Sequence, residues 1–111
     1  MADPTRFLPV KPSVFLIMMA VAEEPCHGYG IMLDVQRRSG GSVNLGTSHL
    51  YRHLKRLLDD GLVEEVEFED GVGDDPRRRY YQLTKLGVKV VRAESARLKG
   101  LVEESTRMGF V

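Results

Sequence analysis

A mainly α chain with a β-hairpin wing is the fold class that three features of this sequence predict. Up to Gly61 the apolar residues recur at helical spacing in three stretches, parted by Pro25, by Gly40-Gly41 and by the turn Asn44-Leu45-Gly46. After Gly61 the period changes to two, with Val66 and Phe68 alternating against Glu65, Glu67 and Glu69. From Lys85 the helical spacing returns and runs to Arg107 with two apolar stripes. Three helices, a two-stranded ribbon and a long last helix are the order in which a winged helix-turn-helix with an added C-terminal dimerisation helix is assembled.

The first helix is expected from Pro12 to Glu23, entered at Pro12-Ser13 and ended by Glu24-Pro25; it is apolar almost all round, as a helix covered on more than one side is. A second helix is expected from Gly28 to Ser39, with either Tyr29, Met32 and Val35 or Ile31 and Val35 facing inward, and Gly40-Gly41 stopping it. The third should start on a cap at Thr47 or Ser48 and run to Asp60, where Gly61 ends it. The ribbon pairs a strand around Val66 and Phe68 with Arg79–Leu83, across a loop from Asp70 to Pro76 too long for a tight hairpin. Thr84 then caps the last helix, opposed only by Gly87 and Gly100.

With 111 residues the chain is about one domain long, so a dimer surface would add welcome stability. Hydrophobic residues at 42% and charged residues at 29% fit a soluble globular protein, which argues against general disorder and against a multi-span membrane protein. The single cysteine, Cys26, cannot close a disulfide within the chain, and a reducing cytoplasm is the expected location. Arg6, Lys11 and the apolar run ending at Ala20-Val-Ala22 have the outline of a signal peptide, but cleavage there would strip the core, and a buried first helix is the better reading. No phosphate loop, no nucleophile with a base at recognisable spacing and no paired carboxylate outside the ribbon are found, so an enzyme is not expected.

A formal net charge of zero removes the simplest argument for nucleic-acid binding, so the placement of charge has to carry it. On the third helix Leu50, Tyr51, Leu54, Leu57 and Leu58 fall in one arc, and Ser48, His49, Arg52, His53, Lys55, Arg56 and Asp59 in the opposite one. A solvated polar face is the plain reading of such a helix. In a helix-turn-helix, however, it is this helix that enters the major groove, its N-terminal half nearest the bases. Ser48, His49 and Arg52 occupy that half; Arg52 and Arg56 suit guanine or phosphate, and Lys55 suits phosphate. Asp59 and Asp60 would repel a phosphate backbone and so limit the footprint. His49 and His53 also stand at the spacing of two metal ligands on one helix face, with Cys26-His27 to complete a set, but no third ligand lies at motif spacing; neither metal nor cofactor is expected.

The ribbon separates its charges. From Asp59 to Asp75 there are nine acidic residues and no basic one, and then Arg77-Arg78-Arg79 follows. Arg79 is placed to pair across the strands with the glutamates, whereas Arg77 and Arg78, nearer the tip, can reach phosphate or a minor groove. This favours a narrow contact by one helix and one wing tip.

Four stretches, in order and at these spacings, resemble the PadR family of bacterial winged-helix transcriptional regulators, in particular its short subfamily with one C-terminal helix. They are the apolar first helix ending in Glu-Glu-Pro, His27-Gly-Tyr-Gly-Ile31, Leu50-Tyr-Arg-His-Leu-Lys-Arg-Leu57 running into Asp60-Gly-Leu-Val63, and Arg79-Tyr-Tyr-Gln-Leu-Thr84 with Gly87 after it. The resemblance implies a homodimeric DNA-binding repressor, with the third helix in the major groove, the wing on the flanking backbone, and Tyr29 and Tyr51 close to DNA. Where relatives tend to have Pro-Gly-Thr or Pro-Gly-Ser before Leu-Tyr, this chain has Thr47-Ser48-His49, which puts an unusual histidine where bases are read.

Residues 11–84 are thus expected to form the DNA-binding unit and 85–108 the dimerisation helix, through Val91, Leu98, Leu101 and Met108. Two-fold symmetry implies a pseudo-palindromic double-stranded operator. Family members often respond to phenolic acids or lipophilic drugs, so an apolar or phenolic effector is expected, with Phe7, Phe15, Tyr29 and Phe110 as its aromatic lining. The alternatives are a metal-responsive regulator and a winged-helix protein-interaction module that does not bind DNA.

Overall fold

The computed structural model describes residues 3–67 and 79–111. After a short 3-10 turn, Pro4–Phe7, come α1 (Pro12–Ala20), β1 (Cys26–His27), α2 (Gly28–Arg38), α3 (Thr47–Asp59), β2 (Val63–Val66), β3 (Tyr80–Leu83) and α4 (Lys85–Arg107). The strands form one antiparallel sheet in the order β1-β3-β2, with Cys26 opposite Tyr81 and Val63 opposite Leu83. Phe68, Glu69, the tip from Asp70 to Pro76, and both Arg77 and Arg78 lie outside the described residues.

The sheet therefore has a strand more than the expected ribbon. Cys26–His27 lies on the outer side of β3, and the chain must be extended to reach it. That requirement shortens α1: it ends at Ala20, where the N–H groups of Val21 and Ala22 turn back onto the Met18 and Met19 carbonyls at 3.3 and 3.2 Å, tightening the last turn.

His27 then serves a second purpose as the N-cap of α2, its Nδ1 accepting the Gly30 N–H at 3.1 Å. Of the two inner rows open to α2, the structure uses Ile31 and Val35, which are fully buried. Tyr29 faces outward.

The third helix is capped differently from expectation. Gly46 is the N-cap, in extended geometry and without a side-chain bond, its carbonyl accepting the Leu50 N–H at 3.0 Å. Thr47 and Ser48 thus sit inside the first turn with exposed side chains rather than capping it. At the other end Gly61 adopts a φ of 73°, the left-handed conformation that closes a helix and that glycine reaches without strain.

One core joins all these elements. Ile17 and Met18 from α1, Leu50 and Leu54 from α3, and Tyr81 from β3 meet Val90 from α4. The last helix begins where expected, Thr84 accepting the Gly87 N–H at 3.0 Å, and its first half is embedded: Gly87, Val90 and Glu94, one row at spacings of three and four, are buried. Glu94 is the buried charge of that row. It is held by a two-point ion pair with Arg97, both bonds 2.7 Å, and by the Val10 N–H. Beyond Gly100, Leu101 and Met108 are exposed.

Candidate nucleic-acid interface

The face that α3 offers to solvent follows from its leucines. Leu50, Leu54 and Leu57 are locked into the core, so residues on the opposite arc have to point out. Ser48, His49, Arg52, Lys55 and Arg56 are all exposed, and His53 is half-buried at the edge. The cations differ in what they already hold. Lys55 reaches Asp59 at 3.2 Å and Arg56 lies 3.5 Å from Asp60, both one turn on, whereas Arg52 makes no ion pair among the described residues. The two aspartates thus draw the distal cations toward the C-terminus of the helix. Among the described residues, the cation of this face that holds no ion pair is Arg52, in its N-terminal half.

Two tyrosines flank this face. Tyr51 is 46% exposed although it falls within the leucine arc, because its phenol extends past the core and lies on the backbone of Gly28. A Cβ at Gly28 would overlap the Tyr51 hydroxyl, so the first residue of α2 has to be glycine for this ring to sit where it does. Tyr29, the next residue, is 63% exposed. Both rings therefore stand at the surface where the start of α2 meets α3.

Lys11 is the site residue the sequence reading passed over. It is the N-cap residue of α1, it is exposed, and it acts on His53 of α3 from outside that helix. Nothing in local spacing announces it, since the proximity arises from packing. His53 itself is pushed below the usual histidine pKa, first by burial and then by the positive charges of Lys11, Arg52 and His49.

On the sheet, Arg79 pairs across the strands with Glu65 at 3.5 Å, and Gln82 donates to Glu64 at 2.8 Å, so the glutamates of β2 are engaged by β3. The histidines and the cysteine do not assemble: among the described residues no three or more His, Cys, Asp or Glu side chains come together as a metal site.

A second feature lies between the start of α1 and α4. A cavity of about 640 Å³ opens between the segment Pro9–Pro12, Phe15, Val43 and the α4 residues Glu94, Arg97 and Leu98. Of the aromatics expected to line an effector site, Phe15 is here; Phe7 packs on the core, Tyr29 is on the outer side of α2, and Phe110 is exposed at the C-terminus. Of the four residues expected to dimerise, Leu98 lines the cavity and Val91 packs partly on the chain's own core, while Leu101 and Met108 stand clear. No helix among the described residues is long and apolar enough to cross a membrane.

A helix pair meeting at a glycine-bearing turn, followed by a small antiparallel sheet and a long helix, defines a winged helix-turn-helix protein. The model of the Transcriptional regulator PadR-like family matches residues 17–93, and the chain belongs to that family. Among solved structures, a PadR family transcription regulator from Clostridium difficile superposes with a TM-score of 0.72 at 21% identity, covering 88% of this chain and 98% of that one. A PadR-like transcription factor from Bacteroides fragilis gives 0.66 at 27% identity, covering 86% and 87%. The PadR of Bacillus subtilis, solved in complex with operator DNA, gives 0.61 at 20% identity, covering 75% of this chain and 47% of that one. Among curated sequences, an uncharacterized 37.1 kDa protein in transposon TN4556 of Streptomyces fradiae is 38% identical over 93 residues. Protein X of Lysinibacillus sphaericus is 28% identical over 72 residues. The chain spans 25% of the length of the first and 64% of the second.

Proposed function

We propose that this transcriptional regulator is a sequence-specific DNA-binding repressor that acts in the cytoplasm as a homodimer and is released by a small apolar or phenolic effector. The observation that carries the reading is the N-terminal half of α3, where Ser48, His49 and Arg52 are exposed together and Arg52 has no acidic partner among the described residues. Such a surface fits the edges of bases in a major groove, with Arg52 suited to the O6 and N7 of guanine. Lys55 and Arg56 exchange their weak, solvent-screened pairs for phosphates, and Tyr29 and Tyr51 bear on the sugar-phosphate backbone. Arg77 and Arg78 hold the flanking backbone from the wing. That the Bacillus subtilis protein of the same fold was solved with operator DNA supports this assignment.

Residues 11–84 then read the DNA and 85–108 pair the subunits. The exposed apolar side chains Leu101 and Met108 favour pairing through the end of α4, continued inward by Leu98 and Val91. A two-fold dimer of this kind reads a pseudo-palindrome with half-sites about one helical turn, or a multiple of it, apart. The cavity beside Phe15 and Leu98 is large enough for a drug-sized ligand and touches the same helix, which gives an effector a route to the dimer geometry.

The test is fluorescence anisotropy with a duplex from upstream of the protein's own coding sequence, titrated at increasing salt. Arg52→Ala is expected to lose about 1 to 3 kcal/mol of binding, roughly ten- to hundredfold, and to relax base preference. Unchanged operator binding by this variant would remove α3 as the reading helix. Wild-type binding without salt dependence would point instead to a protein-interaction module.

A further inference from the structure

We propose that His49 and His53, one turn apart on the outward side of α3, make DNA binding proton-linked: a backbone phosphate arriving beside the pair draws a proton onto it, so affinity rises as pH falls. The inference rests on the DNA-binding reading above. The two imidazoles stand one turn apart on α3, His49 exposed and His53 half-buried where the outward face meets the core. Lys11 acts on His53 from the start of α1, and Arg52 and His49 act on it from its own helix; no acid is among the groups that shift it. The nearest carboxylates along α3, Asp59 and Asp60, are one to two turns further on and already engaged by Lys55 and Arg56.

This arrangement is inverted by a phosphate. In the free protein partial burial, and then three positive or potentially positive neighbours, oppose protonation of His53. A phosphodiester placed among Lys11, Arg52 and the two histidines supplies the missing negative charge, and the imidazolium becomes a charge-assisted donor to it. Because the histidines also repel one another when both are charged, the pair is expected to gain about one proton rather than two. His49, unusual for its position, thus acquires a role as the partner that tunes His53.

The experiment measures Kd for the upstream duplex by anisotropy from about pH 6 to pH 8 at fixed ionic strength with EDTA throughout, circular dichroism verifying the fold at each point. For one proton taken up, the wild-type Kd should fall by up to about tenfold per pH unit through the titration range. His53→Gln should bind at pH 8 within a few-fold of wild type and lose most of that slope, and calorimetry in buffers of different ionisation enthalpy should register proton uptake in the wild type only. Binding that is intact but equally pH-dependent in wild type and His53→Gln overturns the proton linkage and leaves the DNA reading standing. A flat wild-type profile does the same. Absence of wild-type binding at every pH and salt overturns both.

Discussion

A single methyl group placed at two positions of α4 should change stability in opposite directions. At Gly87 a Cβ would overlap the Leu62 carbonyl oxygen, and it would also come within 3.1 Å of the Leu62 carbonyl carbon and 3.2 Å of Leu83 Cδ2. Leu62 is backbone at the junction of α3 and β2, and its carbonyl already accepts the Thr84 N–H at 3.1 Å, so it cannot step aside cheaply. Gly87→Ala therefore lifts the first turn of α4 off the sheet. Overpacking costs about 1 to 3 kcal/mol, and loss of the Thr84 hydrogen bond about 1 kcal/mol. Against these stands a helix-propensity gain of about 1 kcal/mol, leaving a net loss of about 2 kcal/mol, on the order of 10 °C in Tm. Gly100, in the same helix, has nothing within 4 Å of its Cβ position, so Gly100→Ala should keep the propensity gain of about 1 kcal/mol. Urea unfolding followed by far-UV circular dichroism, at one protomer concentration because a dimer's stability depends on it, compares the three proteins. A Gly87→Ala midpoint at or above wild type would refute the close approach of α4 to Leu62.

Two further outcomes can be measured in the same way. His27→Ala removes the cap of α2 and the edge-on contact of the ring with Tyr80, whose centroid is 5.3 Å away; a loss of about 1 to 2 kcal/mol is expected, and Asn, which can accept the Gly30 N–H, should recover the capping share. Equal loss in both variants would place the whole effect in the ring contact. The Glu94 carboxyl is held below its ordinary value of 4.5, first by the Arg97 guanidinium and also by the Val10 N–H, against the opposing effect of burial. A depressed folded pKa means that its stabilisation is complete at neutral pH and is lost as pH falls below about 4.5 through the folded value. Urea midpoints across this range should decline less steeply in Glu94→Gln than in wild type, and parallel profiles would show that another carboxylate governs the acid limb.

What the sequence disclosed was whatever local chemistry determines. The polar face of α3 was legible because Leu50, Leu54 and Leu57 leave its residues no other direction to face, and the starts and stops at Gly61 and Thr84 were legible because each acts within one turn. What escaped it depends on partners distant in the chain. Cys26–His27 is a strand only because Tyr80 and Tyr81 lie beside it, Lys11 acts on His53 only because the fold brings them within electrostatic reach, and Glu94, paired locally with Arg97, is held in its apolar row also by the distant Val10.

Tyr51 shows how the two kinds of information join. By spacing it belongs to the core arc, and by family resemblance to the DNA surface. Gly28 lets it do both: the ring crosses from the leucine arc to the surface over a backbone that carries no side chain. The Gly-Tyr-Gly sequence at the start of α2 therefore contributes to the candidate interface twice, through the exposed Tyr29 and through the surface on which Tyr51 rests.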